Sequence, residues 1–102
     1  MIVEYTRYKV QGQQAVALEE AYQRARSGLE QSPHCLSYEL SRCLEDQSTF
    51  VLRIEWDSVE GHLEGFRKSP EFRAFFEAVK PFFNDIQEMR HYEVTAVANR
   101  KA

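Results

Sequence analysis

The sequence predicts a single α+β domain of ferredoxin-like βαββαβ order, in which a four-stranded antiparallel sheet carries two helices on one face. Three observations predict it. Four strand-sized segments are rich in β-branched and aromatic residues, two longer segments carry apolar residues at helical spacing, and their order along the chain is strand, helix, strand, strand, helix, strand. At 102 residues the chain is one domain, residues 1–102, with no repeat, low-complexity tract or linker.

Ile2 to Val10 reads as the first strand, broken by Gln11-Gly12-Gln13. Ala15, Leu18, Tyr22, Ala25 and Leu29 then recur at 3-4-3-4 spacing and make one apolar stripe on a helix. Glu20 and Arg24 are spaced for an i,i+4 ion pair on its outer side. Gly28 and Ser32-Pro33 are expected to end it. His34 to Leu44 reads as the second strand, with Leu36, Tyr38 and Leu40 on one face. A polar turn, Glu45-Asp46-Gln47-Ser48, leads to the third strand, Thr49 to Trp56. There Phe50, Leu52, Ile54 and Trp56 share one face, and Val51, Arg53 and Glu55 the other.

Asp57 and Glu60 fit a capping box at the start of the second helix. Val59, His62, Leu63 and Phe66 form its inner stripe. Ser69-Pro70 kinks and restarts it, because proline disfavours helical geometry in the residue before it. Phe72, Phe75, Phe76, Val79 and Phe83 continue the stripe, and a last strand runs from about Asp85 to Val97.

Bulk properties narrow the function. Net charge is −3 with both signs interspersed, and no cluster of Lys and Arg supplies the basic footprint that nucleic-acid binding needs. No apolar run approaches the roughly 20 residues that span a bilayer. A cytoplasmic location, without membrane attachment, is the default expectation. Cys35 and Cys43 lie roughly 26 Å apart along a regular strand, too far for a disulfide, and their spacing makes no metal motif. They read as two small, semi-buried thiols. Seven Phe, five Tyr and one Trp are more aromatic surface than one small core hides. The third and last strands also carry apolar groups on both faces. A homodimer that packs sheet on sheet would cover the second face.

From the third strand through the second helix, FVLRIEWDSVEGHLEGFRKSPEFRAFFEAVKPFF resembles the antibiotic biosynthesis monooxygenase family. The resemblance rests on a strand ending in Trp56, on Ser58, His62, Phe66 and Arg67 in the helix, and on Ser69, Pro70, Phe72 and Phe76 after it. With the flanking strands it extends over nearly the whole chain. It implies a dimeric α+β barrel with a pocket in each subunit between helices and sheet. It also implies oxidation of polyphenols or quinols by O₂ with no metal, flavin or other cofactor, an activity of some members. Such a site binds a small aromatic molecule, removes a proton and holds the anion in a water-poor pocket. A non-catalytic small-molecule binding module on the same fold is the alternative. The haem-degrading branch of the fold resembles this chain less: the positions of its functional Asn, Trp and His match Tyr5 or Thr6, Phe66 and Phe76.

His62 is the sharpest catalytic candidate, since a neutral imidazole on the inner helix face can take a phenolic proton near pH 7. Against this stands an ordinary buried histidine satisfied by backbone or water. Trp56, Phe66, Phe72 and Phe76 are expected to line the pocket or simply to pack the core. Tyr5 and Tyr38, read as central-strand residues, are candidates to present hydroxyls inside it. Arg53 is a candidate anion site or ion-pair partner, and Arg67 a gate. His91, alternating with Met89 and Glu93, is expected to face a partner subunit. No nucleophilic triad, phosphate loop or metal spacing can be assembled from these residues.

Overall fold

Pairing order decides which strands are central. The computed structural model describes residues 1–101. In it β1 (Ile2–Lys9), β2 (Cys35–Arg42), β3 (Thr49–Trp56) and β4 (Ile86–Glu93) form one antiparallel sheet in the order β2-β3-β1-β4. Helices α1 (Gln14–Gln31) and α2 (Pro70–Val79) follow β1 and β3 in the expected βαββαβ order. Strand alternation sends Glu4, Thr6, Tyr8, Phe50, Leu52, Ile54 and Trp56 to the helix side, and all are buried. Leu18, Ala21, Ala25 and Leu29 of α1 close on the apolar members of that set. Burying a large apolar side chain contributes roughly 1.5–3 kcal/mol, and Trp56, Phe50, Phe66 and Leu18 are each essentially inaccessible.

Several local expectations are corrected. Helix α1 runs past Gly28 to Gln31. Gly28 is buried where the two helices cross, and a β-carbon there would stand 2.7 Å from the Glu71 carbonyl oxygen. The residue serves close approach, not termination. The ion pair on α1 is Arg26–Glu30 (3.0 Å) in place of Glu20–Arg24. In β2 the register slips between Cys35 and Ser37, so Leu36 bulges out, 58% exposed, and does not share a face with Tyr38 and Leu40. Both cysteines are free, and burial pushes the Cys35 thiol up to about 11. Strand β4 ends at Glu93, opposite Ile2, with one further backbone bond from the Val94 N–H to the Met1 carbonyl (3.0 Å).

The second helical region is broken more finely than its apolar stripe suggests. The Ser58 hydroxyl, not Asp57, accepts the Gly61 N–H (2.8 Å). The chain then makes a π-helical turn (Gly61–Gly65) and a 3₁₀ turn (Phe66–Lys68). Ser69, extended at φ −95° and ψ 160°, separates these from α2, with Pro70 in its first turn. A further 3₁₀ turn (Lys80–Asp85) has three residues per turn, so Phe82 instead of Phe83 follows Val79 into the core.

The other sheet face is mixed. Tyr5 (39% exposed) and Tyr92 (45% exposed) meet edge to face at 5.5 Å, with Val3 and Val51 among Arg7, Arg53, Glu55 and Arg90. Among the described residues, no helix is long and apolar enough to cross a membrane.

Replacing a mid-helix glycine by alanine normally gains up to about 1 kcal/mol. At Gly28 the contact with the α2 backbone reverses the sign. Gly28→Ala is expected to cost about 1–3 kcal/mol through overpacking, read as a lower urea midpoint. An unchanged or raised midpoint would show that the helices are free to part at this crossing.

Candidate active site

The site starts from a carboxylate in the wrong place. Alternation along β1 places Glu4 on the helix side, only 3% exposed. A buried carboxylate is costly unless it is hydrogen-bonded. Glu4 Oε2 accepts from the Thr6 hydroxyl (2.8 Å) two residues along the same face. Its Oε1 accepts from the Trp56 indole N–H (2.9 Å) of the neighbouring strand. Trp56 ends β3 beside Ile2, which brings its ring over the end of β1.

The chain after Trp56 folds back over it. The π turn lays the His62 ring flat on the Trp56 indole, with centroids 4.3 Å apart and planes within 6°. His62 Nε2 lies 3.4 Å from Glu4 Oε1, and its Nδ1 lies 2.7 Å from His91 Nε2 on β4. Burial, then the positive Arg67 and the neighbouring His91, hold the His62 imidazolium down to about 3, so the ring is neutral at pH 7. Outside the turn, His34 is hydrogen-bonded to Asp57 (2.9 Å). It lies so close that a β-carbon on Gly65 would come within 2.5 Å of its ring. Small residues in the turn are what let that pair seat against it.

Beside this cluster opens a cavity of about 520 Å³. Its floor is Glu4, Thr6 and Tyr8 of β1, Leu52, Ile54 and Trp56 of β3, and Ile86 and Met89 of β4. Its roof is His62, Phe66, Arg67, Phe72, Phe75, Phe76, Val79 and Phe83, with Tyr22 reaching in from α1. The Tyr8 and Tyr22 hydroxyls are 2.6 Å apart and satisfy each other. The chamber is apolar and aromatic, with polar groups gathered at the Glu4–His62 end, as small-molecule sites commonly are. One donor atom each from Glu4, His62 and His91 can be chosen so that all lie within 4.8 Å of one another, a set able to hold a cation.

Of the residues singled out from the sequence, His62, Trp56, Phe66, Arg67, Phe72 and Phe76 all line this cavity. Trp56 is a fully buried wall rather than a mouth residue. Arg67 is exposed and reaches the Met89 sulfur (3.8 Å). Tyr5 and Arg53 lie elsewhere. They face each other in register on the opposite sheet face, where Arg53 donates to the Tyr5 hydroxyl (3.3 Å) and Glu55 (3.0 Å) and pairs with Glu39 (3.8 Å). Tyr38 faces the helices but from the edge strand β2, where it meets Arg26 and Glu30 of α1 outside the cavity. His91 turns to the helix side and meets His62 within the same chain. Sequence reasoning missed Glu4, Thr6, Tyr8, Tyr22 and Met89. The signal for the first two was two polar residues on the buried face of β1.

With this geometry in hand, comparison with known proteins is informative. The family model described as antibiotic biosynthesis monooxygenase matches residues 1–78. An uncharacterized Bacillus subtilis protein, YczJ, is 27% identical over 75 residues, covering 74% of this chain and 79% of that protein. A structure named as a candidate antibiotic biosynthesis monooxygenase of Bordetella bronchiseptica superposes with TM-score 0.74. It is 24% identical, over 92% of this chain and 96% of that one. SnoaB of Streptomyces nogalater, a cofactor-independent oxygenase solved in a mutant form, superposes with TM-score 0.71 at 15% identity, over 96% and 94%. At these identities the two structural likenesses are likenesses of fold.

The Tyr8–Tyr22 pair makes a pH prediction. Burial, against the Tyr22 hydrogen bond, pushes Tyr8 from 10.0 up to about 12, and burial also raises Tyr22 well above 10.0. A raised native value means that the unfolded chain releases these protons first, so stability falls as pH rises from about 10 towards 12. Urea midpoints recorded across that interval are expected to drop, and the Tyr8→Phe/Tyr22→Phe double variant to drop less steeply. Parallel slopes in the two proteins would refute this assignment.

Proposed function

The chain belongs to the antibiotic biosynthesis monooxygenase family, and on that premise we propose that it oxidises a small phenolic or quinol-type aromatic with O₂, using no metal or flavin. The observation that carries this reading is the aromatic cavity with a buried, neutral His62 hydrogen-bonded to His91 at its polar end. In this reaction the ring loses its O–H and one C–H hydrogen and gains one oxygen. The second oxygen atom leaves as water with those two hydrogens. Deprotonation comes first, because the phenolate gives electrons to O₂ far more readily than the phenol does. The apolar walls keep the anion from being solvated and quenched.

A lone imidazole whose conjugate acid ionises near 3 is a weak acceptor for a phenol that ionises near about 10. The 2.7 Å contact addresses this: as His62 accepts the substrate proton, it passes one on to the more accessible His91. Arg67 at the cavity wall favours the anion electrostatically. The same low basicity favours a second reading, a module that binds an aromatic molecule without turning it over.

Metal-free protein incubated with a panel of naphthols and hydroquinones is expected to consume O₂. His62→Ala is expected to slow uptake by roughly 10²–10⁴-fold, the span of general acid–base catalysis. Thermal stabilisation by the same compounds without O₂ uptake would favour the binding module. Uptake undiminished in His62→Ala would remove His62 from the mechanism.

The same family membership and the Tyr5–Tyr92 face support a homodimer, in which that face packs on its twin. Light scattering at micromolar concentration is expected to give about twice the 12.0 kDa chain mass, and Tyr5→Asp to lower it. A monomer mass for the unmodified chain would overturn this.

A further inference from the structure

We propose that Glu4, His62 and His91 form a binding site for one divalent first-row transition-metal ion. Three separate elements, β1, the π turn and β4, deliver one carboxylate and two imidazoles to one point, with donor atoms within 4.8 Å of one another. Around an ion at about 2.0–2.2 Å from each ligand, neighbouring donors stand roughly 3.0–3.6 Å apart. Glu4 Oε1 and His62 Nε2 already stand 3.4 Å apart. His91, half-buried on an edge strand, reaches the ion by exchanging its hydrogen bond to His62 for coordination.

The surroundings suit a ligand set. Metal-bound carboxylates are usually fixed by outer hydrogen bonds. Here the Trp56 N–H and the Thr6 hydroxyl hold one oxygen each of Glu4. Stacking on Trp56 fixes the His62 ring plane. Two imidazoles with one carboxylate is the donor chemistry of Zn²⁺ and Fe²⁺ sites that keep open positions. Those positions would face the cavity, which Glu4 and His62 both line. The nearby Arg67 guanidinium opposes a cation, so affinity is moderate and rises when that charge is removed. Resting on the reading of His62 as proton acceptor, a second consequence follows: an ion bound there takes the lone pair that proton transfer uses, so metal loading suppresses cofactor-free oxidation.

The test is titration of chelator-stripped protein with Co²⁺, followed by its visible d–d bands, and with Zn²⁺ by calorimetry. One ion per chain is expected, weakened at least tenfold in Glu4→Gln and in His91→Gln and tightened in Arg67→Gln. Trp56→Phe, which keeps an aromatic ring in the wall but removes the outer hydrogen bond to Glu4 and shrinks the platform under His62, is expected to weaken binding roughly 10–100-fold. Circular dichroism checks that each variant folds, and His91→Gln, altering a half-buried group, keeps the test open if Glu4→Gln does not. Absence of both signals overturns the site, as does binding unchanged in His91→Gln. Binding is read without turnover, so a protein that binds one ion but never consumes O₂ upholds the site while removing the monooxygenase reading. Uptake undiminished at saturating Zn²⁺ overturns the competition.

Discussion

A buried carboxylate in a small core is the constraint from which the site is built. Glu4 is the third residue of β1 and sits on the side that faces the helices, 3% exposed. A domain of this size buries roughly 60–65% of its unfolded surface, which leaves little margin for an uncompensated charge. The structure answers with three neighbouring groups: Thr6 from the same strand, Trp56 from the adjacent strand and His62 from the turn that follows it. Removing either neutral donor takes a hydrogen bond from a carboxylate that is only 3% exposed. The identity of the residue ending β3 is therefore tied to the identity of the third residue of β1. Trp56 serves as core, as hydrogen-bond donor and as the platform for His62 at once.

The turn above Trp56 follows from that arrangement. An α-helical entry would present the ring at position 62 from a narrower spiral. The π turn, an element often found at functional sites, widens the backbone where His62 must lie flat on the indole and still reach His91. Its glycines accept the His34–Asp57 pair from outside. The extended Ser69 then resets direction so that α2 carries its phenylalanines over the cavity. Backbone irregularity, aromatic stacking and the buried carboxylate form one assembly, which is why the polar end of the cavity holds its shape beside an otherwise apolar chamber.

The two faces of the sheet divide the molecule's roles. The helix side holds the cavity and its titratable groups. The other side offers aromatic and charged surface of the kind suited to a second layer, with Arg53 shared among Tyr5, Glu55 and Glu39. An arginine so placed is a structural group of that face and lies across the sheet from the cavity. Half-buried pairs at a sheet surface of this sort add little stability.

Residue periodicity alone determined the element order, the exact span of β3, the break at Ser69-Pro70 and the inward set of His62, Phe66, Phe72 and Phe76. These are local quantities: spacing of 2 or 3.6, caps and proline geometry act within a few residues. Strand order is not local, and it moved Tyr38 to an edge. Alternation parity turned Tyr5 and Arg53 away from the cavity once the helix side was known. Only the tertiary structure decided that Glu4, His62 and His91 meet, because 58 residues separate the first pair and 29 the second. A pattern read along one segment carries no information about a contact made by folding three segments together.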